Sequence, residues 1–111
     1  MDLTKNASKV MFALYKEYLE RCKNNVSVSN ARKFDDSYQI HEQLLPKLTF
    51  DDVELACREL QNANLISASW YNNHACIIEL SSSCISHMEN RFKNGVMNFA
   101  DFAKELLSLI P

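Results

Sequence analysis

Residues 48–80, LTFDDVELACRELQNANLISASWYNNHACIIEL, decide the fold of this chain. Thr49 with Asp52 three residues later is a capping-box-like pair: one side chain satisfies an orphan amide, and the acid favours the positive end of a helix. Leu48 and Val53 flank that cap at the spacing of a hydrophobic staple. Val53, Ala56, Cys57 and Leu60 then recur every three or four residues, which predicts a helix over 48–64 with these four as its buried stripe. Glu54, Arg58, Glu59 and Gln61 are expected to face away. Asn64 stands where a helix-ending glycine is common, a left-handed position that asparagine tolerates.

Two strand-like runs follow, Leu65–Tyr71 and Ala75–Leu80. Ile66, Ala68 and Trp70 lie on one face of the first, and Cys76, Ile78 and Leu80 on one face of the second. The two sets share a face only across a loop with an odd number of residues. A three-residue turn, Asn72-Asn73-His74, is therefore expected, with an asparagine in the left-handed region. The opposite face, carrying Ser67, Ser69, Tyr71, Ile77 and Glu79, is mostly polar and should be wet. Trp70 belongs with the core, although a tryptophan and tyrosine beside a turn also suit base stacking.

Working outward, Ala7, Val10, Met11, Leu14, Tyr15, Tyr18, Leu19 and Cys22 predict a first helix from about Thr4 to Cys22, ended by Asn24-Asn25. Val26-Ser27-Val28 alternates and predicts a short third strand, and Ser29–Lys33 reads as a basic loop. A second helix should start near Asp36 or Ser37 and stop around Pro46, whose ring is incompatible with a helix interior. Downstream, Ser81-Ser82-Ser83 offers hydroxyl caps to a helix carrying Ile85, Met88 and Phe92, which the single glycine, Gly95, should end. A last helix over about 98–110 has apolar residues around about half its circumference, more than a one-sided helix needs.

With 111 residues, 47% of them hydrophobic, the chain can bury one core, and residues 1–111 are read as one domain. It has neither a run of about 18 apolar residues nor a basic-then-apolar leader, so no membrane span is expected and the default compartment is the cytoplasm. Cys22, Cys57, Cys76 and Cys84 are irregularly spaced and mostly on apolar faces, which suits reduced core thiols better than disulfides. One glycine precludes a Gly-rich phosphate loop, and no G-x-S-x-G elbow or HExxH helix occurs, so no enzyme and no cofactor is expected. His74, Cys76, Cys84 and His87 form an H-x-C-x7-C-x2-H string of zinc-competent side chains. Its spacing matches no common finger, and no metal is expected.

The order helix, short strand, helix, capped helix, hairpin, helix resembles the winged-helix fold across essentially the whole chain. That fold is mainly α with a small antiparallel sheet, here with an extra C-terminal helix. The run Val53–Ile66 looks like the third helix and strand entry of such domains, and Ile78-Glu79-Leu80-Ser81 like the strand-to-helix exit. Within the fold, the chain resembles small YjcQ-like proteins of Gram-positive bacteria and their prophages. The resemblance implies DNA binding and transcriptional regulation, and supplies no catalytic residues.

Charge is unevenly distributed. Residues 1–34 hold seven Lys/Arg and three Asp/Glu, net +4, whereas residues 35–64 hold seven acids and two bases, net −5. Affinity for duplex DNA comes largely from Lys and Arg on phosphates. The outward positions of the third helix are Asp51, Glu54, Leu55, Arg58 and Asn62, of which Arg58 suits guanine and Asn62 adenine. The expected DNA contacts are Lys9, Lys16, Arg32, Lys33, Arg58 and Asn62, with plain solubilising charge as the alternative. A second function class is a protein-interaction module whose acidic second and third helices meet a basic partner. The broad apolar faces of the terminal helices further predict a homodimer through Phe12, Leu19, Phe102, Leu106 and Leu109.

Overall fold

The structure, a computed structural model, describes residues 2–93. Helix α1 spans Lys5–Lys23; the Thr4 hydroxyl caps it by accepting the Ala7 N–H, and Asn25 leaves it with a φ of 67°. Its predicted stripe is buried from Ala7 to Tyr18, with Leu19 and Cys22 only partly so; Lys9 and Phe12 are buried as well, which widens the covered face well beyond a single stripe. The strand expected at Val26–Val28 is absent: Ser27 caps a one-turn helix, α2, Val28–Ala31, by accepting the Asn30 N–H. A local serine cap prevails over an alternation only three residues long. The third strand lies further on as β1, Lys33–Asp36, so Arg32 and Lys33 sit at a strand entry and not in a basic loop.

Asp36 caps the next element, a turn of α-helix, α3, Ser37–Gln39, which widens into a π-helical segment Ile40–Leu44 and stops ahead of Pro46. Helix α4 spans Phe50–Asn62, and its Thr49 cap accepts the Asp52 N–H at 3.1 Å. Leu48 and Val53 are both buried, as a staple requires, together with Ala56, Cys57 and Leu60. Glu54 is buried too, against the expectation that it faces outward. Asn64 takes a φ of 62° and turns the chain into β2, Ile66–Tyr71.

Strand β3, His74–Leu80, is central in an antiparallel sheet of order β1-β3-β2. The hairpin corrects the expected register. Tyr71 pairs with His74 and Trp70 with Ala75, so the turn has two residues, Asn72 and Asn73, with φ of 50° and 65°. Two left-handed asparagines satisfy a type I′ turn, whose twist matches the flanking strands. Cys76 consequently pairs with Ser69 on the polar face and is not on the packed one. A β-bulge between Ser67 and Ser69, with Ile77 at a φ of 53°, then restores the phase and turns Ile78 and Leu80 inward.

The last described element is α5, Ser82–Lys93, whose first turn is capped by the Ser81 hydroxyl accepting the Cys84 N–H at 3.0 Å. The predicted helix over 98–110 and Gly95 lie outside the described residues. The architecture is a mainly helical compact domain with a small three-stranded sheet and a C-terminal helix, in a winged-helix arrangement. Side chains from every layer meet in one core, including Phe12, Leu14, Ile40, Leu60, Ile78 and Met88; each buries a side chain worth about 1.5–3 kcal/mol. Among the described residues no helix is long and apolar enough to cross a membrane. Cys22, Cys57, Cys76 and Cys84 are all free thiols.

Candidate functional site

Helix α4 presents two different surfaces. Its outer face carries Asp51, Leu55, Arg58 and Asn62, all exposed, at the spacing of one helical stripe. Leu55 stands 65% exposed near the middle of that stripe. A shallow groove runs between this face and the N-terminal end of α1, with Thr4 and Lys5 on one wall and Asp52, Leu55, Arg58 and Asn62 on the other. Its walls are tied together because the Glu59 carboxylate accepts both the Thr4 amide, at 2.6 Å, and the Thr4 hydroxyl, at 2.8 Å. Arg58 leans away from the groove toward the hairpin: its guanidinium lies 4.0 Å from the centroid of Trp70, and Nη2 donates to the Asn73 carbonyl at 3.4 Å.

The other surface is a polar bolt between α3, α4 and the hairpin. The buried Glu54 carboxylate accepts the Ser37 hydroxyl and the Ala75 amide, the latter at 3.4 Å. His74 Nδ1 lies 3.2 Å from the same carboxylate. Strand β1 stops at the Asp36–Cys76 pair, and beyond it Glu54 takes up the Ala75 amide that no strand partner reaches. Tyr38 and Phe50 stack at 4.3 Å and both pack against the His74 ring. Serine, histidine and acid are therefore together but wired for structure. The carboxylate receives both other groups, so the imidazole does not lie between acid and hydroxyl as a nucleophilic triad needs, and Ser37 is fully buried.

Sequence periodicity missed this bolt. Glu54, Cys57 and Gln61 follow one another at three- and four-residue spacing along the flank of the apolar stripe, and that flank faces the hairpin. Gln61 uses it to donate to the Ala68 carbonyl at 3.1 Å and to accept the Trp70 indole N–H, which guards the free edge of β2. Trp70 is accordingly half-buried, packed on the core by one side and covered by Arg58 on the other.

The expected DNA contacts are not brought together. Lys9 is buried, 3% exposed, where a surface cation was expected. Arg32 closes the start of β1 onto the end of β3: Nε donates to the Leu80 carbonyl at 2.8 Å, and the group lies 3.4 Å from Glu79. Lys16 lies beside Glu17, Glu20 and Gln43, whereas Lys33 borders the outer surface of β1 and β3. Only Arg58 and Asn62 share the α4 face. Of the expected dimer residues, Phe12 is buried within the chain with the Arg91 guanidinium 5.3 Å from its ring centroid, so it offers no free surface. Leu19 is half-buried against the core, and Phe102, Leu106 and Leu109 lie outside the described residues.

The zinc-competent string does not converge. His74 serves Glu54, Cys76 Sγ lies 3.2 Å from the Ser69 carbonyl, Cys84 is buried and His87 is exposed. Among the described residues no three His, Cys, Asp or Glu side chains are grouped to hold a metal. Burial pushes the Cys57 thiol up to about 12 and the Cys84 thiol up to about 11, so neither is an activated nucleophile at neutral pH. The chain matches no protein-family model, no curated protein and no solved structure.

Proposed function

We propose that the protein is a protein-interaction module on a winged-helix scaffold, docking a partner through the outer face of α4. The observation that carries this is the makeup of that face: an exposed leucine at its middle, Asp51 and Asp52 at one end, and a single cation, Arg58, beyond it. A helix built to enter a DNA groove needs several cations to meet phosphates, and aspartates in its first turn repel the backbone. An exposed apolar residue between charged ends suits a protein surface better. Four free thiols fit work in a reducing compartment, and we read the protein as cytoplasmic.

A second reading, a DNA-binding regulator, is favoured by one observation: Arg58 and Asn62 share the exposed face of the helix that this arrangement offers to a major groove. A salt titration of labelled duplex DNA separates the two. The interaction module predicts no saturable binding even at low salt. Saturable binding whose log–log salt slope becomes shallower by about one unit in Arg58→Ala would favour the regulator instead.

A further inference from the structure

We infer that the partner on the α4 face is a second copy of this chain, with two α4 helices crossing antiparallel over Leu55; this identification rests on the interaction-module reading of that face. The charge pattern along the helix points to this occupant. Going from the N-terminal to the C-terminal end, the exposed stripe runs Asp51, Leu55, Arg58, Asn62, negative before the leucine and positive after it, while Asp52 and Glu59 lie to one side of it on the groove margin, with Lys5 on the opposite wall. A partner of single sign, whether a phosphate backbone or a basic peptide, is attracted at one end and repelled at the other. An antiparallel copy of the same strip is attracted at both.

The register is set by the helix itself. Leu55 lies near the midpoint of α4, Phe50–Asn62. A two-fold axis at Leu55 brings the two leucines together, because residues equally far before and after the axis face each other in an isologous contact. Asp51 is four residues before Leu55 and Arg58 three after it, and both lie on the same side of the leucine, so Arg58 of each copy meets Asp51 of the other at nearly the same height. Arg58 can serve this contact without leaving Trp70, since one bond to the Asn73 carbonyl leaves most of its guanidinium donors available. The leucines supply the apolar centre and the two ion pairs fix direction and register, the arrangement that gives an interface specificity.

One helix crossing is a small interface, so association is expected to be concentration-dependent, and sedimentation velocity from about 5 to about 500 µM covers the range such contacts occupy. The wild-type chain should move from monomer toward dimer over this range, and Leu55→Asp should remain monomeric throughout. Asp51→Lys/Asp52→Lys and Arg58→Glu should each remain monomeric alone, the first through Lys–Arg and the second through Glu–Asp repulsion. Mixed in equal amounts they should associate again, because the new lysines of one chain then meet the new glutamate of the other, and the remaining arginine meets the remaining aspartates. Circular dichroism checks that these surface variants stay folded, and a variant that loses helix content is replaced by Leu55→Asn or Arg58→Gln in the same assay. A wild-type monomer at the highest concentration, a dimer that survives Leu55→Asp, or a mixture that stays monomeric would each overturn the pairing, while leaving another protein as the α4 partner. Duplex DNA binding lost in Arg58→Glu would instead overturn the reading on which the pairing stands.

Discussion

Glu54→Ala tests whether the buried carboxylate is a structural bolt. The substitution removes the acceptor of the Ser37 hydroxyl and the Ala75 amide, both on residues with no exposed surface. A buried donor left without a partner costs about 1–3 kcal/mol, so two such donors set an upper range of about 2–6 kcal/mol. Part of this is offset because a carboxylate no longer has to be desolvated, and half-exposed His74 can turn to water. The expected net loss is about 2–4 kcal/mol. Glu54→Gln keeps an uncharged acceptor for one donor and should lose about half as much. Urea unfolding followed by circular dichroism measures this as a shift in midpoint at unchanged slope. The double-mutant cycle with Ser37→Ala should show a coupling of about 0.5–3 kcal/mol. A Glu54→Ala protein within about 0.5 kcal/mol of wild type, the range of ordinary surface changes, would refute the bolt and return Glu54 to the solvent face.

Ile77 is β-branched, 73% exposed and held at a φ of 53°; replacing it by asparagine, which tolerates that region, should raise stability by about 1 kcal/mol, and a lowered melting temperature would contradict the bulge geometry. Thiol labelling of the native protein should modify Cys22 and Cys76 and spare Cys57 and Cys84 until urea unfolds it, because the last two are fully buried and their thiolates are disfavoured; rapid modification of all four would show a looser core. Burial raises the pKa of Tyr15, Cys57 and Cys84 to about 12, 12 and 11. Each holds its proton more tightly when folded, so this contribution is complete below about pH 9 and is lost as the pH climbs through about 11–12. A urea midpoint that does not fall between pH 8 and pH 10.5 would contradict their burial.

The helices were legible because local chemistry specifies them. Thr49 with Asp52, Ser81 ahead of Cys84 and Asp36 ahead of Gln39 are short-range contracts between one side chain and one amide, and the structure honours each. Ser27 offered the same contract with Asn30, yet three alternating residues suggested a strand there. The third strand was hard to see for the opposite reason. Lys33–Asp36 carries one buried residue, Phe34, and its place depends on pairing with β3 forty or more residues away. The Arg32 links to Leu80 and Glu79 hold that long-range closure, so a cation that composition assigns to the surface is occupied by the fold.

The hairpin shows how a sequence pattern can place Ile78 and Leu80 correctly through an incorrect register that misplaces Cys76. Alternation asks that Ile66, Ala68 and Trp70 share a face with Cys76, Ile78 and Leu80, and an odd-numbered loop is the simplest way to achieve it. Asn72 and Asn73 instead close an even turn, which puts Ala75 inward and Cys76 outward, and the extra residue at Ile77 reverses the phase before Ile78. The pattern fixes only the parity between strands, and a bulge changes parity as effectively as a loop residue does. Moving that correction from the turn into the strand has a consequence for the site. The short turn brings His74 and Ala75 back over the start of α4, where Glu54 can hold both. Glu54 is thereby withdrawn from the outer face of α4, leaving Leu55 between Asp51/Asp52 and Arg58. The bulge in the hairpin and the Glu54 bolt are thus two ends of one structural choice, and a variant that lengthens the turn by one residue should disturb both.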